Sequence, residues 1–173
     1  MRRVIVLLRG VNVSGRNKVP MAELRAALTA AGHDDVATLI QSGNIGITTD
    51  APLEEIVDGV AGILLETFEV DVPVVALTRD DLIGIADRWP LGDGDQSRQL
   101  VYFVSGPVDR AGLDALDRTR FPTDTIVGAD DAIYLDYGDG QAKTKLTLNH
   151  LEKAAGVSVT GRNLKTVAKL RDL

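Results

Sequence analysis

The sequence contains no cysteine. Disulfides, thiolate metal sites and cysteine nucleophiles are thereby excluded, and a reducing compartment is permitted. Aromatic residues make up only 4% of the chain and histidine occurs twice, so few imidazoles are available to activate a hydroxyl group. Long apolar runs are missing as well. Met1-Arg2-Arg3 followed by Val4 to Leu8 opens like a secretory signal, but this apolar run falls short of the roughly seven to fifteen residues such a segment needs. No later run approaches the ~20 residues of a membrane-spanning helix. A soluble cytoplasmic protein is the expectation. What is present, 173 residues with 45% hydrophobic and 25% charged, is ordinary globular composition for one domain or two small subdomains.

The net charge of −6 conceals a polarity along the chain: residues 1–26 carry +5, residues 27–142 carry −16 and residues 143–173 carry +5. If the two ends meet in space, a cationic face sits on an acidic body. Such a body repels polyanions in general, while the face attracts one that fits. The alternative is that the ends pair with the acidic middle as surface salt bridges, which are worth little.

Periodicity and turn residues predict the elements in order. Val4 to Leu8 is apolar at both parities, the pattern of a central strand covered on both faces. Pro20 suits a first helical position, and Met21, Leu24, Leu28 and Ala31 follow at helical spacing until Gly32. Ala37 to Ile40 and Ile45 to Thr48 are short strands around the turn Gln41-Ser42-Gly43-Asn44. Asp50 is expected to cap a helix whose Leu53, Ile56, Val57, Val60, Ile63, Leu64 and Phe68 form an apolar stripe, and Pro73 to Leu77 is a strand. This half is βαββαβ.

Thr78 then caps a short helix reaching Arg88, and Trp89 to Asp95 reads as a loop. A strand (Gln99 to Val104), a helix (Asp109 to about Arg118), two strands (Asp124 to Val127 and Ala132 to Asp136) and a helix (Thr144 to Ala155) make βαββα. A last helix runs from about Asn163 to Leu173. The fold class is therefore α+β, with two ferredoxin-like subdomains over 1–78 and 99–173, a connecting helix and loop over 79–98, and an added C-terminal helix.

Most of the candidate chemistry lies in the loop from Leu8 to Pro20. Gly10 and Gly15 have the spacing of a nucleotide-binding P-loop, but Arg16 and Asn17 stand where Lys and a hydroxyl belong, and Pro20 delays the helix. A cradle of backbone N–H groups and a plain glycine turn remain as readings. The helix starts differ in charge. Asp50 with Glu54 and Glu55, Asp80 with Asp81, and Asp109 suit the positive end of a helix dipole. Arg16 and Lys18, Lys143 and Lys145, and Arg162 with Lys165 oppose it at a cost of about 0.3 to 1 kcal/mol, which a bound phosphate or carboxylate reverses. The bland reading is that these side chains extend into solvent or meet acids.

Gln41, Ser42 and Asn44 place three uncharged hydrogen-bonding side chains on one hairpin, where turn chemistry accounts for Gly43 and Asn44 alone. Ser42 lacks the context of an activated nucleophile. His33, after the helix-ending Gly32, reads as structural, and His150 as an exposed polar position. Asp93-Gly94-Asp95-Gln96-Ser97 begins like a calcium loop, but Arg98 and Val104 replace the required Gly and Glu, so a solvated loop is expected. No metal and no cofactor is called for. Base stacking on a sheet is disfavoured because the first half's central strands carry no aromatic residue, and Tyr102, Phe103 and Tyr134 read as core.

Leu8-Arg9-Gly10-Val11-Asn12-Val13, Asn17-Lys18-Val19-Pro20-Met21, Ile40-Gln41-Ser42-Gly43-Asn44, Thr160-Gly161-Arg162-Asn163, Thr166-Val167 and Lys169-Leu170 together resemble the bacterial family known as domain of unknown function 1697. The resemblance spans essentially the whole chain. It implies two α+β subdomains and no particular reaction. Where that family commonly has Trp after the Arg-Asn pair, this chain has Leu164, which speaks against base stacking there.

The candidate ligand-binding residues are Arg9, Asn12, Arg16, Asn17, Lys18, Gln41, Ser42, Asn44, Lys143, Lys145, Arg162, Asn163 and Lys165. They are expected to converge in a cationic cleft between the subdomains and to take a phosphorylated small molecule or nucleic acid, the charges neutralising phosphate and the amides and hydroxyl orienting it. Two other classes compete. One is an enzyme stabilising a phosphoryl group electrostatically, for which no general base or catalytic residue can be assigned. The other is an interaction module for an acidic protein partner.

Overall fold

The computed structural model describes residues 1–173. Its elements are β1 (Arg2–Leu8), α1 (Met21–Ala30), β2 (Asp34–Leu39), β3 (Asn44–Thr49), α2 (Leu53–Phe68), β4 (Val74–Thr78) and α3 (Arg79–Asp87). These are followed by β5 (Gln99–Val104), α4 (Arg110–Asp114), a 3-10 turn (Arg118–Arg120), β6 (Asp124–Gly128), β7 (Ala132–Tyr137), α5 (Leu148–Ala155), β8 (Val159–Asn163) and α6 (Leu164–Leu170). The chain divides into two compact units, residues 1–83 with 169–173 and residues 84–168. The change of unit thus falls inside α3, and the last residues belong to the first unit. No helix is long and apolar enough to cross a membrane.

In the first unit β1 is flanked by β3 and β4, antiparallel to both, in a four-stranded sheet of order β2-β3-β1-β4. Val4 to Leu8 are fully buried, as the apolar run on both parities requires. Val4, Val6, Leu8, Ile45 and Ile47 pack against Leu24 and Leu28 of α1 and Ile56, Val60 and Leu64 of α2. Removing these side chains from water, at about 25 cal/mol per Å² of apolar surface, is the main force holding the unit together. Asp50 does not cap α2. Pro52 occupies the cap position without a side-chain hydrogen bond, and Asp50 instead pairs with the Met1 amino group at 2.6 Å. Thr78 does cap α3: its Oγ1 accepts from the Asp81 N–H at 3.1 Å and donates to the Asp81 carboxylate at 2.6 Å.

The second unit has the sheet order β6-β7-β5-β8, with every neighbouring pair antiparallel. This corrects the expected βαββα: a last strand is present, and it occupies Val159–Asn163, where a helix start was predicted. Gly161 and its polar neighbours give no strand signal, but Gly161 lies against the Tyr102 ring, where an added Cβ would come within 2.6 Å of Cε1. A glycine in this register marks a close approach, and pairing with β5 overrides weak local preference. The helix predicted from Thr144 begins only at Leu148, because Thr147 caps it in a reciprocal box with His150. His150 is therefore a capping partner and not simply an exposed polar residue. The helix expected over Asp109 to Arg118 is shorter, capped by Asp109 and ending at Asp114 before the 3-10 turn.

Tyr102, Phe103 and Tyr134 are core residues, each at most 2% exposed. The Tyr102 and Tyr137 hydroxyls share a hydrogen bond of 2.7 Å. Burial, reinforced by Tyr137, pushes the Tyr102 hydroxyl far above the ordinary tyrosine pKa. The pair is a satisfied polar contact inside an apolar core.

Candidate functional site

The loop between β1 and α1 is a small, internally bonded structure. The Asn12 N–H donates to the Asn17 carbonyl at 3.0 Å, and the Arg16 N–H to the Val13 carbonyl at 3.0 Å, closing a tight turn over Ser14 and Gly15. Those two residues have φ of 50° and 76°, the left-handed pair that a two-residue hairpin turn demands. Gly10, Asn12 and Asn17 also have positive φ, so the loop alternates residue types that tolerate that region.

Asn12 is the brace. Its Nδ2 donates to the Val19 carbonyl at 2.9 Å and to the Gln41 carbonyl at 2.7 Å, while its Oδ1 accepts from the Val19 N–H at 2.9 Å. The side chain therefore closes the loop and ties it to the turn between β2 and β3. The Asn17 Nδ2 adds a bond to the Gly10 carbonyl at 3.1 Å. Val11 is buried beneath, and Gly43 sits over it: an added Cβ would lie 2.6 Å from Leu8 Cβ and 2.7 Å from Val11 Cγ2. The Leu8 N–H donates to the Gly43 carbonyl at 2.8 Å. The first loop and the Gln41–Asn44 turn thus form one surface within the first unit.

The candidate residues on that surface fall into two kinds. Asn12, Asn17 and Asn44 have amides committed to the fold, the fully buried Asn44 donating to the Leu39 carbonyl and to Ser42 Oγ, each at 3.0 Å. Arg16, Lys18 and Gln41 are exposed, and Arg9 and Ser42 are half-buried. Arg16 and Lys18 stand outside the ion pairs of the unit. Two apolar residues that the sequence did not single out belong to the same region: Val13 is 55% exposed and Ile40 50%. Ile40 has φ of 50°, costing a β-branched residue about 1–2 kcal/mol. Its β-branched character gives no sign of a left-handed backbone in the sequence.

In the second unit the predicted residues stand differently. Lys143 and Lys145 are exposed on the segment before α5, not at its start. Between them Thr144 donates through Oγ1 to Asp124 Oδ2 and accepts from the Leu146 N–H, which ties the segment to the start of β6. Arg162 is only 8% exposed, with Nη1 donating to Thr160 Oγ1 and the Gly161 carbonyl, each at 2.9 Å. Burial pushes its guanidinium pKa down to about 10. Asn163 caps α6, its Oδ1 accepting from the Thr166 N–H at 2.9 Å. Lys165 is exposed and contributes to holding the Asp95 carboxyl below its ordinary range, after the larger hydrogen bonds from Ser97. The contrast among helix starts therefore narrows. Lys143 and Lys145 leave it, and Arg162 belongs to a strand.

The family described as "Protein of unknown function (DUF1697)" matches residues 1–134 of the chain. No curated protein matches it significantly. Among solved structures, the conserved bacterial protein SP0830 from Streptococcus pneumoniae is similar at a TM-score of 0.77 and 24% identity, over 99% of this chain and 97% of that one. At that identity the likeness speaks for a shared fold.

Proposed function

The chain belongs to the DUF1697 family, and on that premise we propose that the first unit binds a phosphorylated ligand or nucleic acid at the loop bearing Arg16 and Lys18. One observation carries the reading: exposed cations are mounted on a loop that the Asn12 side chain braces with three hydrogen bonds. Residues 9–18 contain three cations and no acid, so the field over the loop is positive on an otherwise acidic chain. A pre-shaped loop loses little conformational entropy on binding, so the attraction of Arg16 and Lys18 for phosphate is retained as affinity. Gln41 and Ser42, beside them, orient the bound group.

A cytoplasmic setting is part of the proposal and is compatible with the cysteine-free composition. So is the ferredoxin-like reading of both units, supported by the βαββαβ element order and by the matching sheet orders. Exposed Val13 and Ile40 favour one alternative, a surface that recognises an acidic protein segment through mixed apolar and cationic contacts.

A salt series on a single-stranded oligonucleotide carrying a 5′ phosphate tests the proposal. Contacts from Arg9, Arg16 and Lys18 to three phosphates predict that log affinity falls against log salt with a slope of about −2. A slope near −0.7 indicates one phosphate and hence a small ligand. A slope of zero, or no binding at low salt to the oligonucleotide or to a nucleoside monophosphate, overturns the reading.

A further inference from the structure

We propose a second, separate oxyanion site in the first unit, a recess beside Arg3 and Arg79 that takes a phosphate or sulfate group. The recess has a volume of about 300 Å³ and is lined by Met1, Arg2, Arg3, Thr78, Arg79 and Asp80. It lies at the start of β1, whereas the loop bearing Arg16 follows the end of that strand. Five residues of extended chain separate Arg3 from Leu8, about 17 Å, so one small anion cannot serve both places.

Arg3 is locked. Its Nη1 donates to the Asp35 carbonyl at 2.7 Å and to Thr48 Oγ1 at 3.2 Å, and its Nε to the main-chain oxygen of Leu173 at 2.7 Å. The guanidinium lies flat on β3 at Gly46, where an added Cβ would come within 2.5 Å of Nη2. These bonds hold its charge in place, and the nearby Asp35 carboxylate interacts with it through space.

Arg79 is placed close enough for the two like charges to interact. Burial pushes the Arg3 pKa down, Asp35 opposes that fall, and Arg79 adds to it. The Arg79 Nε is itself buried and has no hydrogen-bond partner. A guanidinium short of an acceptor, beside a second fixed guanidinium and a recess, is an arrangement that an oxyanion completes. The charge of a bound oxyanion offsets the repulsion between the two arginines.

Other lining groups limit the ligand. Thr78 Oγ1 is already engaged by Asp81, and Arg2 Nη2 donates to the Ala51 carbonyl at 2.9 Å. The Asp80 carboxylate at the rim disfavours a large polyanion. The volume is at the lower end for small-molecule pockets, so the site accommodates a free oxyanion or the phosphate end of a small monoester.

Inorganic phosphate, titrated at constant ionic strength, should raise the melting temperature of the full chain saturably. Arg79→Gln should weaken this at least tenfold while the ligand-free melting temperature holds or rises, Arg79→Lys should retain part of it, and in an Arg16→Ala, Lys18→Ala background, where the loop no longer contributes, the remaining response should still be lost with Arg79→Gln. An Arg79→Gln protein that binds phosphate as well as the wild type, or a wild type that responds no more than to sodium chloride, overturns the proposal. If Arg79→Gln fails to fold, the Arg79 Nε–Hε resonance of the wild type decides. It should move with phosphate, and a stationary resonance at saturating phosphate refutes the site.

Discussion

Replacing Arg16 and Lys18 together by alanine is expected to weaken binding of a phosphorylated ligand by about 3 to 6 kcal/mol while the melting temperature of the free protein holds or rises. The magnitude is that of two charge-assisted hydrogen bonds at about 1.5–3 kcal/mol each. The direction of the stability change follows from the loop. Both side chains are exposed, the segment carries only positive charge, and the bonds that shape it come from Asn12, Asn17 and the backbone. Deleting the cations removes mutual repulsion and no packing. Titration calorimetry with thermal denaturation of both proteins separates the two quantities. A fall of several degrees in the double variant with unchanged affinity would mean that these residues serve the fold.

Asn12→Ala should have the opposite signature, a loss of about 2 to 4 kcal/mol in stability accompanied by weaker ligand binding. Three hydrogen bonds disappear, and the N–H and carbonyl of the buried Val19 lose partners that water reaches poorly. Alanine also takes up φ of 55° less readily than asparagine. With the brace gone, the loop samples other conformations before binding, so affinity falls although no ligand contact has been deleted. Urea denaturation gives the stability term, and titration under conditions where the variant is still folded gives the affinity. A variant as stable as the wild type would show that the brace contributes nothing.

How much of this was legible beforehand differs by element. β1 could be read directly, since an apolar run on both parities has few other uses, and the hairpin around Gly43 followed from its turn residues. β8 was hidden because its strand character comes from β5 and from the fit of Gly161 against Tyr102, neither of which is local in sequence. The start of α5 was misplaced because Thr144 and Thr147 look alike as caps. The choice is made by Asp124, twenty residues away from Thr144, and by a histidine in a box position usually held by Glu or Gln.

The candidate site divides along the same line. Charge and exposure of Arg16 and Lys18 were evident from composition and turn context. The work of Asn12 was not, because asparagine in a glycine-rich loop reads equally as a ligand contact or as a turn former, and only its bonds to Val19 and Gln41 show that the amide is occupied. Arg162 looked like a ligand contact because, with Lys165, it read as a cation at the start of the last helix, opposing the dipole. Its place on a strand, 8% exposed, is set by tertiary packing.

Chemical-shift mapping tests the central claim most directly. Amide resonances should be followed by two-dimensional NMR as a 5′-phosphorylated oligonucleotide or nucleoside monophosphate is added. The account predicts saturable shifts at Val13 to Lys18 and at Gln41 and Ser42, abolished in the Arg16→Ala, Lys18→Ala protein. Shifts that spare these residues, or that persist unchanged in the double variant, would contradict it.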